Sequence, residues 1–200
     1  MSGTERRPAA GRRRPARERV LAAAARRFYA DGITATGIDT ITAEAGVAKM
    51  SLYNNFTSKA DLVLAYLDAR HEEWLNRYRS RLERAGSPRD GVLAVFDTYI
   101  DSAGSPGEDD FRGCGLLNAA AELPVGDEGR ALVRRHKEEV ERLMATQVGL
   151  LLPERPDVAR TTAEHLAFLL EGAMVRAGLE GDSGRLRQAR AMAARLLDRF

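Results

Sequence analysis

Cysteine is nearly missing from this 200-residue chain: Cys114 is the only one, so no intrachain disulfide can form. No apolar stretch follows the arginines of the first 20 residues, which argues against a secretory signal. A reducing cytoplasm is therefore the expected location. No run of about 18 apolar residues occurs, so no membrane-spanning helix and no membrane partner are expected. Alternating apolar and polar residues of strand length are absent, as are internal repeats. The chemistry of common enzymes is missing too: there is no phosphate-binding glycine loop, no G-x-S-x-G and no H-E-x-x-H. His71, His136 and His165 lie far apart, and each is expected to be structural or on the surface rather than a metal ligand. No catalytic residue, metal or cofactor is expected.

What is present is helical punctuation and an uneven charge distribution. Residues 1–60 hold 11 Lys/Arg against 5 Asp/Glu, whereas residues 61–200 hold 20 against 24. A basic block beside an acidic remainder suggests a polyanion-binding N-terminal part and a C-terminal part with another task. Residues 1–15, rich in Arg, Pro, Gly and Ala, read as a disordered basic arm. That arm either lies along phosphates or merely solubilises the chain.

From Ala16 the pattern becomes helical, with Leu21, Ala24, Ala25 and Phe28 on one face and Asp31-Gly32 as its end. A short helix is expected over Ile38–Ala45, broken by Gly46, and another over about Lys49–Asn55. Ser58 caps a long helix, with Asp61 placed to reach the free amides at its start. Its apolar stripe runs through Leu62, Val63, Tyr66, Leu67, Trp74 and Tyr78 to about Arg84. Ser87-Pro88 opens the next helix. Gly104–Asp110 reads as a polar loop. Further helices are expected at about 114–123, 128–151, 157–179 and 184–199. The fold class is all-α, with roughly nine helices.

The pair of short helices around Gly46 has the outline of a helix-turn-helix, which sets its second helix into the DNA major groove. Ile38, Ile41, Ala45, Val47 and Leu52 are spaced to bury together behind the pair. Lys49, Met50, Ser51, Tyr53, Asn54 and Asn55 are left to face outward or sideways. This mixture of cation, hydroxyls and amides suits phosphate and base-edge contacts.

The run AGVAKMSLYNNFTSKADL resembles the DNA-binding region of the TetR family of transcriptional regulators. The likeness covers about residues 16–66: Ala-Gly-Val, a Leu-Tyr pair, an aromatic before a small loop, and Ser-Lys opening the fourth helix. It implies a three-helix DNA-binding domain at 16–60 and a helical domain at 61–200 that dimerises and binds an effector. It also implies that Tyr53 and Lys59 hold phosphates and that Lys49, Met50, Ser51 and Asn54 lie at or near the groove. Lys59 has physical support, since it falls in the first turn of the long helix, where amides and the helix dipole favour an anion. Family members often carry a hydroxyl residue just before the second helix. Here Gly37 stands there, with Thr36 one residue earlier, so either the Thr36 hydroxyl or the Gly37 N–H would take that phosphate.

In the C-terminal part, the pocket candidates are Trp74, Tyr78, Phe96, Tyr99, Asn118, Phe168, Glu171 and Met174. They offer aromatic walls with a few polar points, and most are equally compatible with plain core. Asn118 and Glu122 are four residues apart on one helix face. Cys114, beside Arg112 in the first turn of its helix, is either a redox sensor with a lowered thiol pKa or a small buried apolar residue. Two helical faces either close the chain's own core or, as the TetR resemblance implies, form a homodimer through the last two helices. One is His165, Leu166, Leu169, Leu170, Ala173, Met174 and Ala177; the other is Leu186, Ala189, Met192, Ala193, Leu196 and Leu197.

The resulting expectation is a ligand-responsive repressor. It would bind a near-palindromic double-stranded DNA operator as a homodimer and be released by a small-molecule effector. The alternatives are an effector-independent DNA-binding dimer, a redox-responsive regulator acting through Cys114, and a helical enzyme whose N-terminal module binds something else.

Overall fold

The computed structural model describes residues 13–103 and 111–200. Of the arm expected at 1–15, residues 13–15 are helical, whereas residues 1–12, like the loop at 104–110, lie outside the described residues. Nine helices are found among them: α1 (Arg13–Ala30), α2 (Ile38–Ala45), α3 (Lys49–Tyr53), α4 (Lys59–Leu82), α5 (Pro88–Ser102), α6 (Gly115–Glu122), α7 (Glu128–Leu151), α8 (Pro156–Glu180) and α9 (Gly184–Leu197). There is no strand among the described residues, so the all-α expectation holds. None of these helices is long and apolar enough to cross a membrane. Two compact units divide between Leu67 and Asp68.

Most helix ends follow from local chemistry. Ser87 Oγ accepts from Asp90 N–H at 3.1 Å, with Pro88 in the first turn of α5. Asp127 accepts from Gly129 N–H at the start of α7. Ser58 Oγ accepts from Asp61 N–H at 3.0 Å, and the Asp61 carboxylate takes Thr57 N–H at 2.8 Å. That completes a reciprocal cap on α4. α1 begins at Arg13 rather than Ala16; Pro15 lies in its first turn, where no backbone N–H is needed. α3 ends at Tyr53, two residues earlier than the pattern predicts.

In the first unit, Val20, Ala23, Ala24 and Phe28 of α1 pack with Ile41, Ala45, Leu52, Phe56, Leu62 and Tyr66. The inward face of α1 is thus rotated from the expected one: Val20 and Ala23 are buried, while Leu21 and Ala25 are partly exposed. Phe28 meets Tyr66 edge-to-face at 5.5 Å. Arg26 and Arg27 of α1 both pair with Glu44 of α2. Those guanidinium hydrogen bonds, Arg26 first, hold the Glu44 carboxyl below its ordinary pKa against the opposing effect of burial.

In the second unit, α5 is buried almost all round, from Gly91 to Phe96 and again at Thr98 and Tyr99. It is the central helix, packed on α7 and α9, with α8 against α7 and α9. Gly91 permits that approach, because a Cβ there would stand 2.6 Å from Gln147 Oε1. Arg190 of α9 forms a two-pronged pair with Asp97 of α5 at 2.6 and 3.0 Å.

The faces expected to form a dimer interface point mainly inward. Leu166, Leu170, Met174 and Ala177 of α8 and Leu186, Ala189, Ala193 and Leu197 of α9 belong to the chain's own core. On α8 a different stripe faces out, Phe168 (74% exposed), Val175 and Leu179 (84%), whereas on α9 Met192 of the expected face is itself exposed. The reason is helical phase. Phe168 is two residues from both Leu166 and Leu170, close to the opposite side of a helix with 3.6 residues per turn.

Candidate nucleic-acid interface and an open cleft

Gly46 adopts φ 61°, ψ 42°, a left-handed conformation that a side chain would strain. Its N–H bonds Ala43 O, and Val47 N–H bonds Thr42 O at 3.1 Å, which ends α2 sharply. Leu52 is the buried residue of α3 and anchors it. Met50 is left 70% exposed, and Lys49, Tyr53 and Asn54 are exposed as well. Ser51 is partly exposed, and its carbonyl accepts from Asn55 Nδ2 at 2.7 Å. Lys49 is ion-paired to Asp39 of α2 at 2.8 Å. The hydrogen bond that Lys49 donates to that carboxylate raises the lysine pKa.

The two candidates before α2 separate. Thr36 is buried and its hydroxyl donates to Gly32 O at 2.6 Å, so it serves the fold. Gly37 is exposed, with extended backbone at the N-terminus of α2. Lys59 opens α4 and its Nζ reaches Thr34 O at 3.5 Å. The α4 cap already satisfies the amides of Thr57 and Asp61, so the charge available to an anion there is chiefly the Lys59 ammonium.

In the second unit, the eight pocket candidates do not form one lining. Asn118 and Met174 border a cavity of about 290 Å³ together with Arg112, Cys114, Leu117 and Leu179. Trp74, Tyr78, Phe96 and Tyr99 are packed into the core. Phe168 lies on the outer surface, a correction to its expected place in a pocket. Glu171 pairs with Lys137 at 2.8 Å.

The fold also gathers residues that the sequence keeps far apart. His71 of α4 and His136 of α7 place their Nδ1 atoms 2.9 Å apart. His136 Nε2 lies 3.1 Å from the Tyr99 hydroxyl. Trp74 stacks on Tyr78 at 5.6 Å and meets His136 edge-on at 5.4 Å. Burial lowers the His136 pKa to about 3, helped by the charges of Lys137 and His71, and burial raises that of Tyr99. Both rings therefore stay neutral at pH 7. If the phenol donates to Nε2, His136 must carry its proton on Nδ1 and give it to His71.

Lys137 lies over the Tyr99 ring, 3.7 Å from Cys114 Sγ. Burial opposes its charge, but Cys114, Tyr99 and Glu171 together hold its pKa above the ordinary lysine value. A cation set against the thiol is thus Lys137, a residue the sequence reading missed. A signal existed: Val133, His136, Lys137, Val140, Met144 and Val148 recur at helical spacing, which puts His136 and Lys137 on an apolar face. Trp74 Nε1 is buried with no hydrogen-bond partner among the described residues. Among the same residues, no group of three or more His, Cys, Asp or Glu could hold a metal ion.

Comparison with known proteins bears on both units. The model of a family described as "Bacterial regulatory proteins, tetR family" matches residues 20–66. The "HTH-type transcriptional activator FasR" of Mycolicibacterium smegmatis is 36% identical over 104 residues, 48% of each chain. The chain thus spans about half the length of the curated relatives it matches. Solved structures match along nearly the whole chain. A TetR-family transcriptional regulator from Streptomyces coelicolor is 32% identical with a TM-score of 0.82, covering 93% of this chain and 95% of that one. A TetR transcriptional regulator from Chloroflexus aurantiacus is 30% identical with a TM-score of 0.79, covering 94% and 96%.

Proposed function

This chain belongs to the TetR family of transcriptional regulators, and we propose that it acts as a homodimeric, cytoplasmic, effector-released repressor. As a family member it is a DNA-binding regulator and not an enzyme. The proposal assigns DNA reading to α1 through residue 60, and dimerisation and effector binding to 61–200. α3 enters the major groove with Lys49, Met50, Ser51 and Asn54 toward base edges, while Tyr53, Lys59 and the Gly37 N–H hold phosphates. The observation that carries this reading is the exposed α3, anchored by buried Leu52 behind the left-handed Gly46 turn.

The exposed stripe of Phe168, Val175 and Leu179 with Met192 supports a twofold contact between copies. Two reading heads related by a twofold require a near-palindromic operator. The cavity bordered by Cys114, Asn118 and Met174 supports a small-molecule effector. Such a molecule releases the DNA only if it binds the released form more tightly than the DNA-bound form. A gel shift on the promoter beside its own coding sequence, repeated with candidate effectors, tests the reading. Release by a compound is expected, and failure to bind any promoter fragment sinks it. The mycobacterial relative is named an activator, so a promoter-reporter assay decides the sign: reporter output should rise when the protein is absent.

A second reading has one observation in its favour, the Lys137 ammonium 3.7 Å from Cys114 Sγ. That contact, made by an ammonium also paired with Glu171, makes oxidation of Cys114 the releasing signal in this reading. Alkylation rate measured against pH tests it: a thiol that titrates like free cysteine ends the idea.

A further inference from the structure

Lys49 is the first residue of α3, and its Nζ stands 2.8 Å from Oδ1 of Asp39, in the first turn of α2. Both side chains are well exposed, 55% and 82%. A pair so open to water adds little to folding. What it does is hold a donor and an acceptor side by side, on two helices joined through the Gly46 turn. A lone lysine there would attract any phosphate. A lone aspartate would repel all of them. Together they carry no net charge, so they add little to sequence-independent binding. They gain only where DNA presents the complementary couple.

The major-groove edge of every base pair presents one. In G·C, guanine O6 accepts and cytosine N4 donates; in A·T, adenine N6 donates and thymine O4 accepts. The two groups are hydrogen-bonded to each other, about 2.9 Å apart. That matches the spacing of Lys49 Nζ and Asp39 Oδ1. The ammonium has three donors and the carboxylate several acceptor sites, so the ion pair survives docking.

We propose that Asp39 and Lys49 read one base pair per half-site as a unit, Lys49 on the keto base and Asp39 on its amino partner. The couple therefore distinguishes the orientation of a pair, G·C from C·G and T·A from A·T. Guanine N7 offers Lys49 a second acceptor, so G·C ranks above T·A. This rests on α3 being the DNA-reading helix.

The test is selection of binding sites from a random duplex DNA pool by the full chain, as wild type, D39A, D39N and K49A. Melting by circular dichroism checks that each variant is folded, as expected for an exposed pair. Wild type should show a keto-over-amino preference at one position of each half-site. D39A, D39N and K49A should all lose it at that same position, by about tenfold in relative affinity. D39A should also bind random DNA more tightly than wild type, because Lys49 is released to phosphates. A D39A protein that keeps the wild-type preference while K49A loses it overturns the couple and leaves α3 as the reader. If K49A and a further N54A variant both select the wild-type sequence with unchanged affinity, α3 is not the reader, and both the proposal and the reading beneath it fall.

Discussion

The hydroxyl of Tyr99 lies 3.1 Å from Nε2 of His136, deep in the second unit, and both side chains are held neutral there. The pairing ties α5 to α7, and through His71 Nδ1 to α4. Burial is the first cause of the lowered His136 pKa, so protonation costs folding energy. An unfolded histidine titrates near pH 6.5 and folded His136 near 3. The stabilisation is therefore complete above about pH 6.5 and is lost as pH falls toward 3. Between pH 6.5 and 5 the loss should be on the order of 2 kcal/mol. Urea titrations at several pH values check this. His136→Gln should flatten the dependence, and an unchanged slope in that variant would assign it to another group.

Tyr53→Phe and Lys59→Ala probe the phosphate contacts. Each should weaken binding by a similar factor on operator and on random DNA, with the salt dependence of log K reduced by about one for Lys59→Ala. Anisotropy titrations over a range of salt concentrations read both effects. A loss confined to the operator would place these residues at base edges instead.

The outward stripe on α8 gives a prediction about assembly. Sizing at micromolar concentration should show twice the 21.9 kDa chain mass. Leu179→Glu, which puts a charge on a residue that is 84% exposed in the single chain, should leave the helical content unchanged and yield monomer. Operator affinity should fall with it, because a monomer engages one half-site. A dimer that survives both Leu179→Glu and Phe168→Glu rules out this face.

Gly178 and Gly113 cross closely beside the cavity. A Cβ at Gly178 would stand 2.8 Å from Gly113 Cα, and Gly113 itself has φ +84°. Gly178→Ala should cost about 1–3 kcal/mol, since backbone rather than a flexible side chain must yield. The urea midpoint measures it. Gly149→Ala is the control, because a Cβ there meets nothing within 4 Å.

Local rules were enough to place most elements. The α2 bounds, the Gly46 turn, the Ser58 and Ser87 caps and the inward stripe of α4 all depend on residues within a few positions of one another. Backbone sterics and capping chemistry act over that range, so they are legible in order along the chain. The family likeness is of the same kind, a set of fixed spacings between residues 16 and 66.

Other outcomes needed distant residues to meet. Sequence alone determined an all-helical chain with a capped helix-turn-helix and a long following helix. Only the tertiary structure decided that His71 and His136 share a hydrogen bond, and that Lys137 is set against Cys114. It also turned the Thr36 hydroxyl inward and set Phe168 outside the core it was expected to line. The physical reason is that helical periodicity tells which residues share a face, while the packing of α5, α7, α8 and α9 on one another decides which face is covered and which is left to water.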